Sequence, residues 1–74
     1  MTYAFALVDA RTRKVVVTGS DKASTPARLA RHLRKRMKKL LDDSPLILAC
    51  WRVTWRGVPI PFTHTARPLA ARPG

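Results

Sequence analysis

The sequence contains no glutamate and only one cysteine. Its four acidic residues are all aspartates, against 15 lysines and arginines, so the chain has a formal net charge of +11. With so few acids most cations cannot be neutralised within the chain, which favours an extended polyanion as partner. The lone Cys50 excludes an intrachain disulfide and a cysteine-based metal centre. It also favours a reducing compartment such as the cytoplasm.

Long apolar runs and glycine-rich loops are also missing. No apolar run approaches the roughly 20 residues needed to cross a bilayer, and residues 1–10 lack the basic start of a signal peptide. The three glycines are isolated, so no phosphate-binding loop is predicted. The length of 74 residues allows one domain, and a hydrophobic content of 46% is too high for a disordered basic tail.

Two strands open the chain. Residues Thr2–Asp9 alternate Tyr3, Phe5 and Leu7 with smaller apolar residues, and Lys14–Thr18 contains a β-branched run. A short polar break joins them, which predicts a hairpin followed by a turn at residues 19–22.

A helix is predicted over residues 26–41. Thr25 suits the N-cap and Pro26 the first helical position, and Pro45 ends the helix. The apolar residues recur at helical spacing and form one stripe for the sheet. They are Leu29, Ala30, Leu33, Met37, Leu40 and Leu41.

The chain then returns to strand patterning over Leu46–Arg56, with Trp51 and Trp55 on one face. Residues Val58–Phe62 are either a short outer strand or an extended polyproline-like arm. Residues 63–74 are predicted to be a flexible basic tail rich in proline, alanine and arginine, carrying Arg67 and Arg72.

These elements predict a small α+β domain over residues 1–62 with the order β-β-α-β. The simplest topology is a three- to four-stranded, mainly antiparallel sheet of order 2-1-3 with the basic helix on one face. A third strand that pairs in parallel with the second is the alternative. Because Thr2–Asp9 is apolar on both faces, the second face needs cover. Either Val58–Phe62 or a second copy of the protein, in a homodimer, supplies it.

The helix carries seven cations that form seven like-charge pairs at i,i+3 or i,i+4. Such pairs together destabilise an isolated helix by about 1–3 kcal/mol at low salt, so we expect this face to have a function. The predicted nucleic-acid-binding residues on it are Arg28, Arg31, Arg34, Lys35, Arg36, Lys38 and Lys39. The hairpin loop and the third long strand add Arg11, Arg13, Lys14, Arg52 and Arg56.

Phosphate neutralisation is the predicted chemistry, because arginine grips phosphate with paired hydrogen bonds and lysine acts as a point charge. An α-helix fits the major groove of double-stranded DNA, which we favour, although the same face could follow the phosphates of RNA. The helix has no Asn or Gln for reading adenine, so we expect limited sequence preference.

Two other functions fit the composition. The chain could be an adaptor or inhibitor that docks on an acidic surface of a larger protein, or an RNA-binding component of a ribosome-like particle. Binding to a membrane surface fits less well, because the apolar stripe of the helix is needed by the sheet. No metal-ligand spacing, cofactor motif or catalytic constellation is present, so we do not predict an enzyme.

The remaining chemically versatile residues have plain structural interpretations. Trp51 and Trp55 could stack on unpaired bases, but packing in the core or a dimer interface is favoured. Cys50 is read as a small buried residue. His32 is read as an exposed polar side chain, and Asp42 and Asp43 as part of the turn after the helix.

Overall fold

The computed structural model describes residues 1–69. Its elements, in chain order, are β1 (Thr2–Asp9), β2 (Val15–Lys22), α1 (Pro26–Arg36), α2 (Lys38–Asp43), β3 (Leu46–Val53) and β4 (Thr65–Leu69). No helix within this part of the chain is long and apolar enough to cross a membrane.

The strands form one antiparallel sheet of order β2-β1-β3-β4. The predicted α+β class, the β1–β2 hairpin and the order 2-1-3 are confirmed. The alternative in which the third strand pairs in parallel with the second is wrong, because β1 lies between them and pairs antiparallel with both. The helices run over one face and connect β2 to β3.

The second strand is longer than predicted. It continues through Lys22, so residues 19–22 are strand and not a turn. Gly19 lies opposite Phe5, and a Cβ at residue 19 would lie 2.9 Å from the ring atom Cζ of Phe5. The aromatic ring therefore occupies the space that the missing side chain leaves, which explains why glycine is compatible with the strand here.

The fourth strand lies later in the chain than predicted. The structure corrects the assignment of residues 65–69 to a flexible tail, because they pair with β3 from Leu46 to Cys50. Of the two alternatives for Val58–Phe62, the outer strand is wrong, since within residues 1–69 its ladder pairing is limited to an isolated bridge between Pro59 and Val53. Leu69, at the end of β4, is almost fully buried in the core. Residues 70–74, with Arg72, lie outside the described residues.

The hydrophobic core lies between the helices and one face of the sheet. From β1 this face contributes Tyr3, Phe5 and Leu7, and from β3 it contributes Leu46, Leu48 and Cys50. The other face is only half-buried, and its apolar residues there are Ala4, Ala6, Val8, Ile47, Ala49 and Trp51. Residues 58–62 contact the edge of β3 through the isolated bridge between Pro59 and Val53.

The predicted helix over residues 26–41 is interrupted at Met37, whose φ of −107° and ψ of 26° leave the α region. In an unbroken helix Leu40 would lie in the centre of the apolar stripe formed by Leu29 and Leu33. Instead Leu40 is 38% exposed and Leu41 is 6% exposed. The break therefore shifts the buried face of α2 by one residue, so the prediction of one continuous stripe is wrong.

Candidate nucleic-acid interface

The first helix is fixed at its start by the predicted cap. The Thr25 side chain accepts a hydrogen bond from the backbone N–H of Arg28 at 3.2 Å, and Pro26 occupies the first helical position. An N-cap of this kind stabilises the helix by about 0.5–2 kcal/mol. The cap sets the orientation in which α1 presents the rest of its side chains.

Three arginines on one flank of α1 line a shallow, open depression. The depression has a volume of about 320 Å³ and is lined by Ala27, Arg28, Arg31 and Arg34. The three arginines are spaced three residues apart along the helix. Arg34 is half-buried, whereas the other two are exposed. Within the described residues none of the three is within ion-pair distance of a carboxylate. The depression therefore offers guanidinium groups that are free to bind an anion.

The opposite flank of α1 is tied to the sheet. Arg36 donates a hydrogen bond to the Asp21 carboxylate on β2 at 2.5 Å. This contact places Arg36 at the β2 side of the sheet, whereas α1 also packs against β4. Arg36 is therefore at least partly neutralised within the protein, unlike the arginines of the depression.

The positive charge in the last turn of α1 is stabilised by the helix itself. Arg34, Lys35 and Arg36 occupy that turn, where the negative end of the helix dipole stabilises cations by about 0.3–1 kcal/mol each. Four of the seven predicted like-charge pairs join a residue of α1 to a residue of α2. Because the helix is broken at Met37, these four pairs do not have the geometry of one continuous helix. The pairs wholly within α1 are Arg28–Arg31, Arg31–Arg34 and Arg31–Lys35.

The hairpin loop lies against the end of α2. Arg11 donates to the Ser44 hydroxyl at 2.6 Å and to the Asp43 carbonyl at 3.5 Å, and it lies 3.9 Å from the Asp9 carboxylate. Arg11 is thus a structural link between the loop and the helix. Beside it, Arg13 adopts a φ of 62° that completes the turn.

Arg13 and Lys14 are exposed in this loop, and Lys38 and Lys39 are exposed on α2. None of these four residues forms an ion pair with another described residue. The cationic surface therefore continues from the depression on α1 toward the loop end of the molecule.

The two arginines predicted on the third long strand have different environments. Arg52 lies opposite Tyr3, on the helix face of the sheet, and is half-buried; its Nε atom has no hydrogen-bond partner. Arg56 lies beyond the end of β3, because the strand ends at Val53 and not at Arg56 as predicted. Its guanidinium carbon lies 4.6 Å from the centre of the Trp55 ring.

Arg67 was not predicted as a site residue, because its segment resembled a tail. It lies on β4 opposite Leu48, whose side chain is fully buried on the helix face. Arg67 therefore belongs to the same side of the sheet as α1, on a strand that α1 contacts. Only the pairing of β4 with β3 reveals this placement, and residue spacing carries no signal for it.

The two tryptophans do not pack in the core. Trp51 is half-buried on the outer face and its ring stacks on His64, with centroids 6.0 Å apart and planes 14° apart. Trp55 is exposed in the loop after β3. Core packing, one half of the favoured interpretation, is therefore wrong for Trp55, whereas packing in a dimer interface stays a prediction. The prediction that both tryptophans share one strand face is wrong because β3 ends at Val53.

The other chemically versatile residues are scattered. Cys50 is buried, with its sulfur 3.1 Å from the Thr65 hydroxyl, and His32 is exposed on α1. Asp42 and Asp43 end α2. Among residues 1–69 no three His, Cys or Asp side chains are grouped closely enough to hold a metal ion. The exposed lysines and arginines are therefore the side chains on which a functional site can be based.

Comparisons with protein-family models, curated proteins and solved structures found no match to this chain. Its function must therefore be argued from the arrangement of its own side chains.

Proposed function

We propose that this protein binds nucleic acid, preferably double-stranded DNA, mainly through its phosphates. The observation that carries the proposal is the depression on α1, which is lined by Arg28, Arg31 and Arg34, none of them with a carboxylate partner among the described residues. Arginine binds phosphate oxygens with paired, charge-assisted hydrogen bonds. A row of such groups on one helix flank matches a row of phosphates better than it matches a single small anion.

The wider charge distribution supports the same partner. Lys35, Lys38 and Lys39 are exposed beside the depression, and Arg13 and Lys14 extend the surface at the loop end. Each phosphate neutralised releases counterions, which gives an affinity that falls steeply with salt. We expect Arg11 and Arg36 to contribute less to phosphate binding, because both already contact groups within the protein.

Duplex DNA is favoured over RNA on shape. The major groove of B-form DNA admits an α-helix, whereas the deep groove of A-form RNA does not. The helices carry no Asn or Gln, so we propose contacts to the backbone with little reading of bases. The buried, unpaired thiol of Cys50 fits a reducing compartment, and we propose the cytoplasm as the setting.

The test is a binding titration against duplex DNA, single-stranded DNA and duplex RNA at several salt concentrations. On duplex DNA we expect a log–log salt slope of about −4 to −6, which corresponds to about five to seven phosphate contacts. Weak binding to all three at physiological salt would contradict the proposal. A clear preference for duplex RNA would support the RNA-particle alternative instead.

Charge-reversal variants locate the site. The triple variant Arg31→Glu, Arg34→Glu, Lys38→Glu should abolish binding while the circular dichroism spectrum stays native. Single variants give a matched comparison: Arg31→Glu and Lys22→Glu change the charge equally, but Lys22 lies on β2 and does not line the depression. Equal losses from both single variants would mean that only the total charge matters and would contradict a site on α1.

A protein partner is the second candidate, favoured by the outer face of the sheet. Ala4, Ala6, Val8, Ile47 and Ala49 are only half-buried there, and an apolar face of this kind is typical of an interaction surface. A second copy of the chain or an acidic protein could cover it. Recovery of one stoichiometric partner after nuclease treatment would favour this function over nucleic-acid binding.

A further inference from the structure

The loop of residues 54–64 exposes two large aromatic side chains. Trp55 is 86% exposed and Phe62 is fully exposed. Burying a side chain of this size is worth about 1.5–3 kcal/mol, and no described residue supplies that burial. Both side chains are therefore available to a ligand with apolar flat surfaces.

The part of the loop that carries Trp55 is tightly hydrogen-bonded. The Thr54 N–H donates to the Val58 carbonyl at 2.9 Å, and the Gly57 N–H donates to the Thr54 carbonyl at 2.8 Å. Gly57 has a φ of 81°, a conformation that suits glycine. Trp55 thus projects from a defined turn, which lowers the entropic cost of ordering it in a complex.

The part that carries Phe62 is also held in place. The Thr63 hydroxyl donates to the Ile60 carbonyl at 2.8 Å and accepts from the Arg52 N–H at 2.9 Å. Phe62 has a φ of 65°, which is unfavourable for a residue with a Cβ and is typically retained where it has a use. The neighbouring hydrogen bonds hold this conformation and direct the ring into solvent.

The environment of Trp55 favours an anionic, aromatic ligand. The Arg56 guanidinium covers one part of the ring at 4.6 Å from its centre, and the chain as a whole carries a net charge of +11. Tryptophan, phenylalanine and arginine planes are the surfaces on which unpaired nucleobases stack in proteins that bind single strands.

The loop lies at the same end of the molecule as the start of α1. Val53, the last residue of β3, pairs with Thr2, and the carbonyl of Met1 accepts a hydrogen bond from Ala23, just before the helix. Arg28 lies in the first turn of that helix. The end of the depression that Arg28 lines is therefore at the same end of the molecule as the loop with Trp55 and Phe62.

We propose that Trp55 and Phe62 stack on unpaired bases of a nucleic acid whose phosphates are bound by Arg28, Arg31 and Arg34. The proposal rests on the proposed function and extends it. The preferred ligand is then a duplex with a single-stranded segment at its end, and the protein recognises the junction without reading a sequence.

The test compares a blunt DNA duplex with the same duplex carrying an oligo-dT overhang. The overhang should increase the affinity of the unaltered protein. Trp55→Ala and Phe62→Ala should each lower the affinity for the overhang duplex by about 5- to 150-fold, the range for one stacked base. Affinity for the blunt duplex should not change. Trp55→Phe should retain most of the overhang affinity, because it keeps a stacking surface.

Val58→Ala is the matched control, because Val58 is another exposed apolar residue of the same loop. It should bind both duplexes as the unaltered protein does. The inference is overturned if the overhang gives no advantage, or if the aromatic variants bind the overhang duplex normally. Binding to phosphatidylserine vesicles that is lost in Trp55→Ala, with overhang binding retained, would assign the loop to a membrane and also overturn it.

The same experiment separates this inference from the proposed function. If the unaltered protein binds neither duplex, the proposed function fails. If Arg31→Glu loses both duplexes while the aromatic variants lose neither, the phosphate site stands and the stacking site is wrong.

Discussion

The Arg36 guanidinium lies 2.5 Å from the Asp21 carboxylate and links α1 to the edge strand β2. The two side chains are 57% and 30% exposed, respectively, and an ion pair with this exposure is worth about 0–1 kcal/mol. The pair also removes Arg36 from the cations that are free to bind phosphate, whereas its neighbour Lys35 has no such partner among the described residues.

We therefore predict that Lys35→Ala and Arg36→Ala separate binding from stability. Lys35→Ala should reduce the magnitude of the salt slope on duplex DNA by about 1 and leave the free energy of unfolding nearly unchanged. Arg36→Ala should reduce the slope less and lower the free energy of unfolding by up to about 1 kcal/mol. Salt-dependent titration and urea unfolding measure the two effects. An equal loss of binding in both variants would mean that the ion pair opens on the ligand.

Relief of charge repulsion should stabilise α1. Arg31 takes part in all three like-charge pairs that lie wholly within this helix. Arg31→Gln should raise the free energy of unfolding by about 0.5–1.5 kcal/mol at low salt, while weakening nucleic-acid binding. The gain should shrink at high salt, because screening reduces the original repulsion.

Urea unfolding at two salt concentrations tests this expectation, with Arg28→Gln as the control. Arg28 has only one such pair, with Arg31, and should give a smaller gain. A loss of stability in Arg31→Gln at low salt would contradict the repulsion argument.

Substitution of Gly19 should disturb the core. A Cβ at this position would lie 2.9 Å from Cζ and 3.3 Å from Cε2 of Phe5, whose ring is buried and cannot move freely. Gly19→Ala should lower the free energy of unfolding by about 1–3 kcal/mol, as measured by urea unfolding. Ser20→Ala, at the next and exposed position, should have little effect.

A double-mutant cycle with Phe5→Leu checks the cause of that loss. The loss from Gly19→Ala should be much smaller in the Phe5→Leu background, because the contact is then removed. An unchanged loss would locate the strain elsewhere.

The last strand should be part of the cooperative fold. Leu69 is 1% exposed within the core, so Leu69→Ala should lower the free energy of unfolding by about 2–4 kcal/mol. Arg67→Ala, on the same strand but exposed, should stay within about 0.5 kcal/mol. If Leu69→Ala were neutral, β4 would not contribute to stability.

Cys50 reports on the same strand, because its thiol is buried against Thr65 of β4. A thiol reagent should modify it slowly in the native protein, and faster in Leu69→Ala.

The sequence predicts much of this fold because several patterns agree at the same positions. Alternation defines β1, the Thr25–Pro26 cap defines the start of α1, and the directions of the successive elements lead to the order 2-1-3. It fails at β4, since residues 65–69 show no alternation and contain Pro68. That segment is a strand because the edge of β3 pairs with it and the core accepts Leu69, which is a tertiary effect that overrides local propensity.

The candidate site shows the same division. The cations of α1 are evident from residue type and helical spacing. The neutralisation of Arg36 and the anchoring of Arg11 are not evident, because their partners lie 15 and about 32 residues away in the sequence. The exposure of Trp55 was missed because β3 ends two residues before it. Helical spacing thus identifies candidate ligand contacts, but long-range packing decides which of them are free.

The central position of β1 in the sheet also affects how the chain assembles. Its pairing with β2 is local in sequence, whereas its pairing with β3 joins residues 2–9 to residues 46–53. The second pairing forms more slowly, because its two strands are far apart in the sequence. Until β3 has paired with β1, one edge of β1 is open to other chains that have not yet folded. This strand is apolar on both faces. Mutual repulsion between molecules of charge +11 keeps such chains apart. The charge proposed to attract a polyanion would thus also protect the newly made protein from aggregation.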